Sequence, residues 1–151
     1  MSSPHSSGPP RLTIDQLRAD ILAGDVDTVI VAFTDMQGRL QGKRLHGHFF
    51  LDHVLDHGTE GCNYLLAVDV DMNTVDGYTM SSWERGYGDM FFAMDLDTLR
   101  RTPGHPNSAT IQSDLTWLDG TGEVAQSPRT ILKQQIARAA DAGYGAFAGT
   151  E

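Results

Sequence analysis

The sequence predicts an α+β fold in which helices accompany a small β-sheet. Two observations indicate this class. Apolar segments of strand length alternate with turn residues through the middle of the chain, and apolar residues at helical spacing lie near both ends. The length of 151 residues suits about one domain of 100–150 residues. Hydrophobic residues make up 40% of the chain and charged residues 21%, so the chain can bury a core.

The first predicted element is a helix that follows a flexible polar leader. Thr13 and Gln16 have the spacing of a capping box, in which each side chain bonds the backbone N–H of the other residue. Apolar residues follow at helical spacing. Gly24 then lies where a helix commonly ends in a left-handed residue.

The next segments predict a β-hairpin. Residues 28–34 are rich in Val, Ile and Phe, which favours a buried strand. Residues 35–38 (Asp-Met-Gln-Gly) predict a turn, because Gly38 accepts a positive φ without steric cost. Residues 39–45 form the predicted return strand, although Leu40 and Leu45 do not alternate cleanly with polar positions.

The remaining elements are predicted from apolar runs and from turn residues. A short helix ends at Gly58, and the closing helix has Ser127 as N-cap and Pro128 as its first residue. A long loop that carries glycine and serine is unusual inside a compact domain unless it is functional. The predicted bounds are 49–57 for the short helix, 62–70, 89–94 and 109–118 for three strands, 74–88 for the loop, 127–142 for the closing helix and 144–151 for a last strand. The residues expected on the core face of the closing helix are Ile131, Leu132, Ile136 and Ala139.

Charge and cysteine content exclude several classes of function. The formal net charge is -9, which argues against nucleic acid or an anionic membrane as the main partner, since both require a basic face. Cys62 is the single cysteine, so neither an internal disulfide nor a cysteine-based zinc site is possible. No apolar run approaches the roughly 20 residues of a membrane span. The composition therefore suits a cytoplasmic protein.

Two patterns resemble metal sites only in part. His53 and His57 have the i, i+4 spacing of a shared helix face, but no carboxylate accompanies them, so partly exposed histidines are the preferred interpretation of His46, His48, His53 and His57. Asp69, Asp71 and Asn73 resemble the start of a calcium loop. Thr74 and Met80 stand where that loop requires Gly and a bidentate acid, so solvent-facing acids are preferred there.

Residues 81–89 combine aromatic, acidic and basic side chains within one loop. Flat anchors beside a few polar groups are typical of binding loops. The alternative is a surface loop in which Trp83 and Tyr87 cover the edge of the sheet. Residue types and spacing do not separate these two interpretations.

Three segments together resemble the glutamine synthetase family. Residues 33–44 (FTDMQGRLQGKR) resemble the hairpin that opens bacterial glutamine synthetases. Residues 58–66 (GTEGCNYLL), with residues 81–90, look like the branch that uses amines other than ammonia, as in γ-glutamylpolyamine and γ-glutamylethanolamide synthetases. Residues 127–129 and the helix that they open are similar to the start of the catalytic domain.

The resemblance implies a division into domains and a type of assembly. It implies a flexible leader at 1–11, a β-grasp N-terminal domain at 12–122, and the first helix and strand of a truncated catalytic domain at 123–151. Family members are homo-oligomeric rings, in which the N-terminal domain of one subunit closes the active site of its neighbour. An ATP-dependent reaction then joins glutamate to ammonia or to a small amine through a γ-glutamyl phosphate.

The resemblance also implies roles for individual residues. Asp76 matches the carboxylate that binds ammonium in ammonia-using members, and Glu84 is an equal alternative, while Ser82 and Trp83 would shape the amine side. Glu151 would be the first ligand of a paired E-x-E motif for Mg²⁺ or Mn²⁺, which neutralise anions during phosphoryl transfer.

The resemblance also limits what the chain can do by itself. The ATP site and the other metal ligands would lie beyond Glu151, so this chain alone should be inactive. The alternative is a non-catalytic β-grasp module that binds or caps a full-length oligomer.

Overall fold

The computed structural model describes residues 10–80 and 88–149, and its fold is α+β, as the sequence predicts. The helices are α1 (Ile14–Ala23), α2 (Gly47–Phe49), α3 (Leu55–His57) and α4 (Pro128–Asp141), and the strands are β1 (Thr28–Thr34), β2 (Leu40–His46), β3 (Thr59–Cys62), β4 (Asp89–Arg101) and β5 (Ser108–Trp117). The five strands form one sheet in the order β2-β1-β5-β4-β3. β1 lies parallel to β5, from Thr28 opposite Ser108 to Ala32 opposite Gln112.

The chain divides into two compact units, of which the first contains the residues before Phe33 together with Gly42–Thr59 and Met94–Ser113. Its helix α1 has the predicted capping box: Thr13 Oγ1 accepts a hydrogen bond from Gln16 N–H, and Gln16 Oε1 accepts one from Thr13 N–H. The helix ends at Gly24, which has a φ of 81°. Leu17 and Ile21 form its buried face, so the predicted first helix is confirmed.

Close packing between the backbones of β1 and β2 depends on Gly42. A Cβ atom at this position would lie 2.1 Å from the carbonyl oxygen of Val31. No side chain fits at that distance, so glycine is required where these strands meet. The predicted hairpin is confirmed, with its strands at Thr28–Thr34 and Leu40–His46.

The helical segment after β2 begins at Gly47, two residues before the predicted start at residue 49, and ends at His57 as predicted. Between α2 and α3 it widens into a π-helical stretch, Phe50–Val54. Phe50, Leu51 and Val54 are buried, so this stretch presents the apolar face that holds the segment in the first unit.

The second unit contains Phe33–Gln41, Glu60–Ala93 and the residues from Asp114 onward. Phe33 and Phe92 meet edge to face in its core, with ring centroids 5.1 Å apart. Gly61 admits the Phe92 ring, because a Cβ atom at residue 61 would lie 2.5 Å from Cζ of that ring. A glycine in β3 thus makes room for the Phe92 ring, which packs against Phe33.

The predicted strand at residues 62–70 is wrong. β3 ends at Cys62, and the chain continues as a 3₁₀ turn, Asn63–Leu66. Leu66, Ala67 and Val68 are all buried. A short apolar run has no periodicity that separates a buried strand from a buried turn, so the sequence pattern could not distinguish them.

Helix α4 occupies nearly the predicted range, but its predicted core face is wrong. Ile131, Leu132 and Ile136 have exposed fractions of 44%, 59% and 45%. The helix is attached through its first turns, where Arg129 Nε lies 2.8 Å from Asp114 Oδ1 and Lys133 bonds the other oxygen of the same carboxylate. These three apolar side chains are therefore largely exposed in the described part of the chain.

The predicted last strand is also not observed in the described part of the chain. Residues 144–149 follow α4 without regular structure, and Phe147 is fully exposed. A strand needs a neighbouring strand for its backbone hydrogen bonds, and none of the five described strands pairs with this segment.

Candidate functional site

Asp76 lies on a short exposed loop, residues 75–80, which we call the Asp76 loop. The side chain of Asp76 is exposed, and Gly77 beside it has a φ of 93°. Val75 N–H donates to the carbonyl oxygen of Ala67 at 3.0 Å at the start of the loop. At its end, Asn63 Nδ2 donates to the carbonyl oxygen of Met80 at 2.8 Å. Both ends of the loop are therefore held by the 3₁₀ turn and the residue after it.

Asn63 also bonds Gly88, the first described residue after residue 80. Its backbone N–H donates to the carbonyl oxygen of Gly88 at 2.8 Å, and its Oδ1 accepts from Gly88 N–H at 3.3 Å. The side chain is only 5% exposed and uses both its donor and its acceptor. One buried amide thus connects Met80 and Gly88.

A compact turn precedes the Asp76 loop, and Asp69 closes it. Asp69 Oδ1 accepts hydrogen bonds of 2.9 Å from the backbone N–H groups of Asp71 and Asn73, and Oδ2 accepts one from Asn73 Nδ2. The bonds from Asn73 are the main cause that lowers the pKa of the Asp69 carboxyl. We call residues 67–75 the Asp69 turn. Its oxygens stabilise the turn itself, in the manner of an Asx-turn.

The hairpin turn between β1 and β2 carries a fully buried carboxylate, Asp35. Oδ1 accepts from the backbone N–H groups of Gln37 (3.0 Å) and Arg39 (2.8 Å). Oδ2 accepts from Arg39 Nε at 2.8 Å and from Gln41 Nε2 at 3.0 Å. Burial alone would raise the pKa of Asp35, but the bonds from Gln41 and Arg39 outweigh it, so the pKa lies below its ordinary value.

Side chains of the hairpin turn reach the Asp69 turn. Gln37 Nε2 donates to the carbonyl oxygen of Val68 at 2.9 Å. Arg39 Nη1 donates to the carbonyl oxygen of Val70 at 2.6 Å, and Nη2 donates to that of Asp69 at 3.2 Å. Three consecutive carbonyl groups are thereby bonded by two side chains of the hairpin.

Asp35, Arg39 and Asn63 are not predicted from the sequence as site residues. Asp35 was recognised only as the first residue of a turn, a position that Asp favours for local reasons. Its full burial and its bond to Arg39 are contacts that a turn motif does not specify. Asn63 carried no signal, because residues 62–70 were predicted to be a strand.

The other predicted site residues lie outside the described part of the chain. Ser82, Trp83 and Glu84 fall within residues 81–87, and Glu151 follows the last described residue. Of the predicted site, the structure therefore places Asp76 alone. Asp76 and Glu84 stay alternatives for the amine-binding carboxylate.

The four histidines of residues 46–57 lie in the first unit. The rings of His46 and His48 stack with centroids 5.6 Å apart, and the His53 ring lies 5.0 Å from that of Phe49. Within residues 10–80 and 88–149, no three His, Cys, Asp or Glu side chains converge as metal ligands would. The described residues therefore do not form a set of ligands that could hold a metal ion.

Sequence comparison supports the predicted resemblance. The chain is 59% identical over 142 residues, or 94% of its length, to the γ-glutamylethanolamide synthetase GlnA4 of Streptomyces coelicolor. The resemblance to the glutamine synthetase family is confirmed. It is also 32% identical over 127 residues to a glutamate–isopropylamine ligase of a Pseudomonas species. No family model matches the chain.

A solved structure confirms the fold class. A glutamine synthase homologue superposes with a TM-score of 0.61 at 21% identity and covers 78% of this chain. The chain spans only 30% and 28% of the lengths of the two curated relatives, and 27% of the solved structure. In the described residues no helix has the length and apolar character needed to cross a bilayer.

Proposed function

We propose that this chain is the N-terminal part of an ATP-dependent ligase that joins the γ-carboxylate of glutamate to a small primary amine. The observation that carries the proposal is the 59% identity to a γ-glutamylethanolamide synthetase over nearly the whole chain. The second relative is also named for an amine larger than ammonia. Ethanolamine is therefore the first candidate substrate, with other alkylamines next and ammonia last.

The exposed Asp76 carboxylate supports a role on the amine side of the reaction. A primary amine is mostly a cation at neutral pH, and it must lose a proton before its nitrogen can attack an activated carboxyl group. A carboxylate beside the amine favours binding of the cation and can accept that proton. Asp76 has the exposure that this task requires, on a loop whose two ends are fixed by Ala67 and Asn63.

We further propose the division into domains that the resemblance implies: leader 1–11, β-grasp domain 12–122 and start of a catalytic domain 123–151. The exposed apolar residues of α4 support it. Ile131, Leu132 and Ile136 would be covered by a following domain of a longer protein. ATP, glutamate and the divalent metal would be bound mainly by that domain, in a homo-oligomer.

The test is an assay of phosphate release by the full-length protein that contains this segment, with glutamate, ATP and Mg²⁺. We expect release to depend on ethanolamine or another alkylamine, with mass spectrometry detecting the γ-glutamyl amide. Strong activity with ammonium and none with amines would contradict the amine specificity. The 151-residue chain assayed alone is the control and should not turn over ATP. Turnover of ATP by this chain would contradict the proposal that it is only the N-terminal part of the ligase.

A further inference from the structure

We propose that Arg39 is a positioning residue, which sets the place of the Asp76 loop by bonding the Asp69 turn ahead of it. The proposal deepens the ligase function proposed above and rests on it. The hydrogen bonds described for Arg39 go to the hairpin and to the Asp69 turn. Its effect on the loop passes through the backbone of the Asp69 turn.

The guanidinium group of Arg39 joins two parts of the second unit at once. Nε bonds the Asp35 carboxylate at 2.8 Å, while Nη1 and Nη2 bond the carbonyl oxygens of Val70 and Asp69. Only a planar group with several donors in fixed directions can make these bonds together. A lysine ammonium has its donors around a single nitrogen atom. It would therefore keep either the bond to the Asp35 carboxylate or the bonds to the two carbonyl oxygens, and lose the other.

Asp35 fixes the direction of the guanidinium group. The Asp35 side chain is fully buried, and two of its four hydrogen bonds come from Arg39. If Arg39 turned toward solvent, a buried carboxylate would lose its charged partner, which is strongly unfavourable. The Nη atoms are therefore held facing the Asp69 turn.

The Asp69 turn transmits this position to Asp76. Asp69 N–H donates to the carbonyl oxygen of Asn73 at 2.9 Å, and Val75 N–H donates to that of Ala67 at 3.0 Å. These bonds make the turn a closed unit whose last residue, Val75, is bonded covalently to Asp76. Moving the carbonyl groups of Asp69 and Val70 would therefore move the start of the Asp76 loop, while Asn63 keeps its end at Met80.

A change in the position of the Asp76 loop should affect the amine substrate and not glutamate or ATP. A carboxylate acts on a bound ammonium group through distance, so a displaced Asp76 would weaken amine binding and proton removal. Glutamate and ATP do not depend on this loop in the proposed arrangement. Substitution of Arg39 should therefore raise the KM for the amine and leave the KM for glutamate and for ATP nearly unchanged.

The structural step can be tested on the 151-residue chain by amide hydrogen exchange. We compare Arg39→Ala and the milder Arg39→Lys with the control Arg44→Ala, which removes an exposed arginine of β2. Loss of charge-assisted bonds should speed exchange of the amides of Asp71, Asn73 and Val75 by about tenfold or more in Arg39→Ala, and by less in Arg39→Lys, which keeps part of the bonds. Exchange equal to that of the Arg44 variant would overturn the proposal.

The functional step is tested in the full-length ligase with the same three variants. We expect the KM for the amine to rise by about tenfold in Arg39→Ala, and by less in Arg39→Lys, with the Arg44 variant like the unsubstituted enzyme. Faster exchange with an unchanged KM for the amine would make Arg39 a purely structural residue and refute the positioning role. Absence of amine-dependent activity in the unsubstituted enzyme would instead refute the ligase function itself.

Discussion

Asp76 is the predicted site residue whose surroundings the structure describes. Its carboxylate is exposed at the surface of a loop, and the loop is held at Val75 and Met80. Exposure before substrate binding is what a group needs in order to meet an amine from solution. The exposure of Asp76 therefore supports the proposal that its carboxylate binds the amine and accepts its proton. Glu84 remains the alternative for this role.

Asp76→Asn tests this role directly. The amide keeps the size of the side chain but can neither attract a cation by charge nor accept a proton. In the full-length ligase we expect kcat/KM for the amine to fall by about a hundredfold, the usual range for loss of a proton-transfer group. The matched control is Asp71→Asn, which removes an exposed acid from the preceding turn. Equal activity of the two variants would remove Asp76 from the site and favour Glu84.

Asp35 makes the stability of the chain depend on pH. Its pKa in the folded chain lies below the ordinary value of 3.8, so the unfolded chain takes up the proton more readily. The stabilisation is therefore complete above pH 3.8 and is lost as the pH falls through the lower pKa of the folded state.

Asp35→Asn should remove that part of the acid sensitivity. We expect the variant to be less stable by about 3 kcal/mol at neutral pH, because Arg39 loses its charged partner, and to lose less stability on acidification. Urea unfolding between about pH 6 and about pH 2 measures both effects. Asp52→Asn, at an exposed residue, is the control. A parallel pH dependence in Asp35→Asn and the unsubstituted chain would contradict the assignment.

At the scale of elements, local signals predicted the hairpin and α1 because their determinants are near in sequence. A capping box and a left-handed glycine define α1, and a Gly at residue 38 defines the turn of the hairpin. The prediction of a strand after β3, at residues 62–70, was wrong for the opposite reason. Whether Leu66, Ala67 and Val68 form a strand or a turn depends on neighbours that are distant in sequence, including Gly88, which bonds Asn63.

Helix α4 provides a prediction at this scale. Replacement of Ile131, Leu132 and Ile136 together by Gln should change the free energy of unfolding of the 151-residue chain by less than about 1 kcal/mol, because exposed positions tolerate substitution. The same triple variant of the longer protein should lose at least about 3 kcal/mol, since buried apolar side chains would be replaced. Thermal and urea unfolding measure both.

The control for this experiment is Gln134→Ala, at an exposed polar position of the same helix. If the triple variant and the control unfolded alike in the longer protein, α4 would not carry an interface with a following domain. A large loss in the 151-residue chain would show instead that the apolar face is already used within it.

At the scale of the whole molecule, the chain has an acidic composition and a sheet of five described strands. The chain spans less than a third of its curated relatives. In the proposed ligase, this chain would supply the Asp76 loop and the turn that holds it, and the metal and nucleotide chemistry would belong to the remainder.

The amino-acid sequence alone predicted the fold class, the hairpin, both long helices and the resemblance to the family, because these follow from local patterns and from short sequence motifs. It could not indicate that Asp35, Arg39 and the Asp69 turn form one bonded network, or that Asn63 holds Met80 and Gly88. Apart from the bond between Asp35 and Arg39, which are four positions apart, those contacts join residues 17 to 31 positions apart. Their hydrogen bonds exist only once the fold has brought the two segments together.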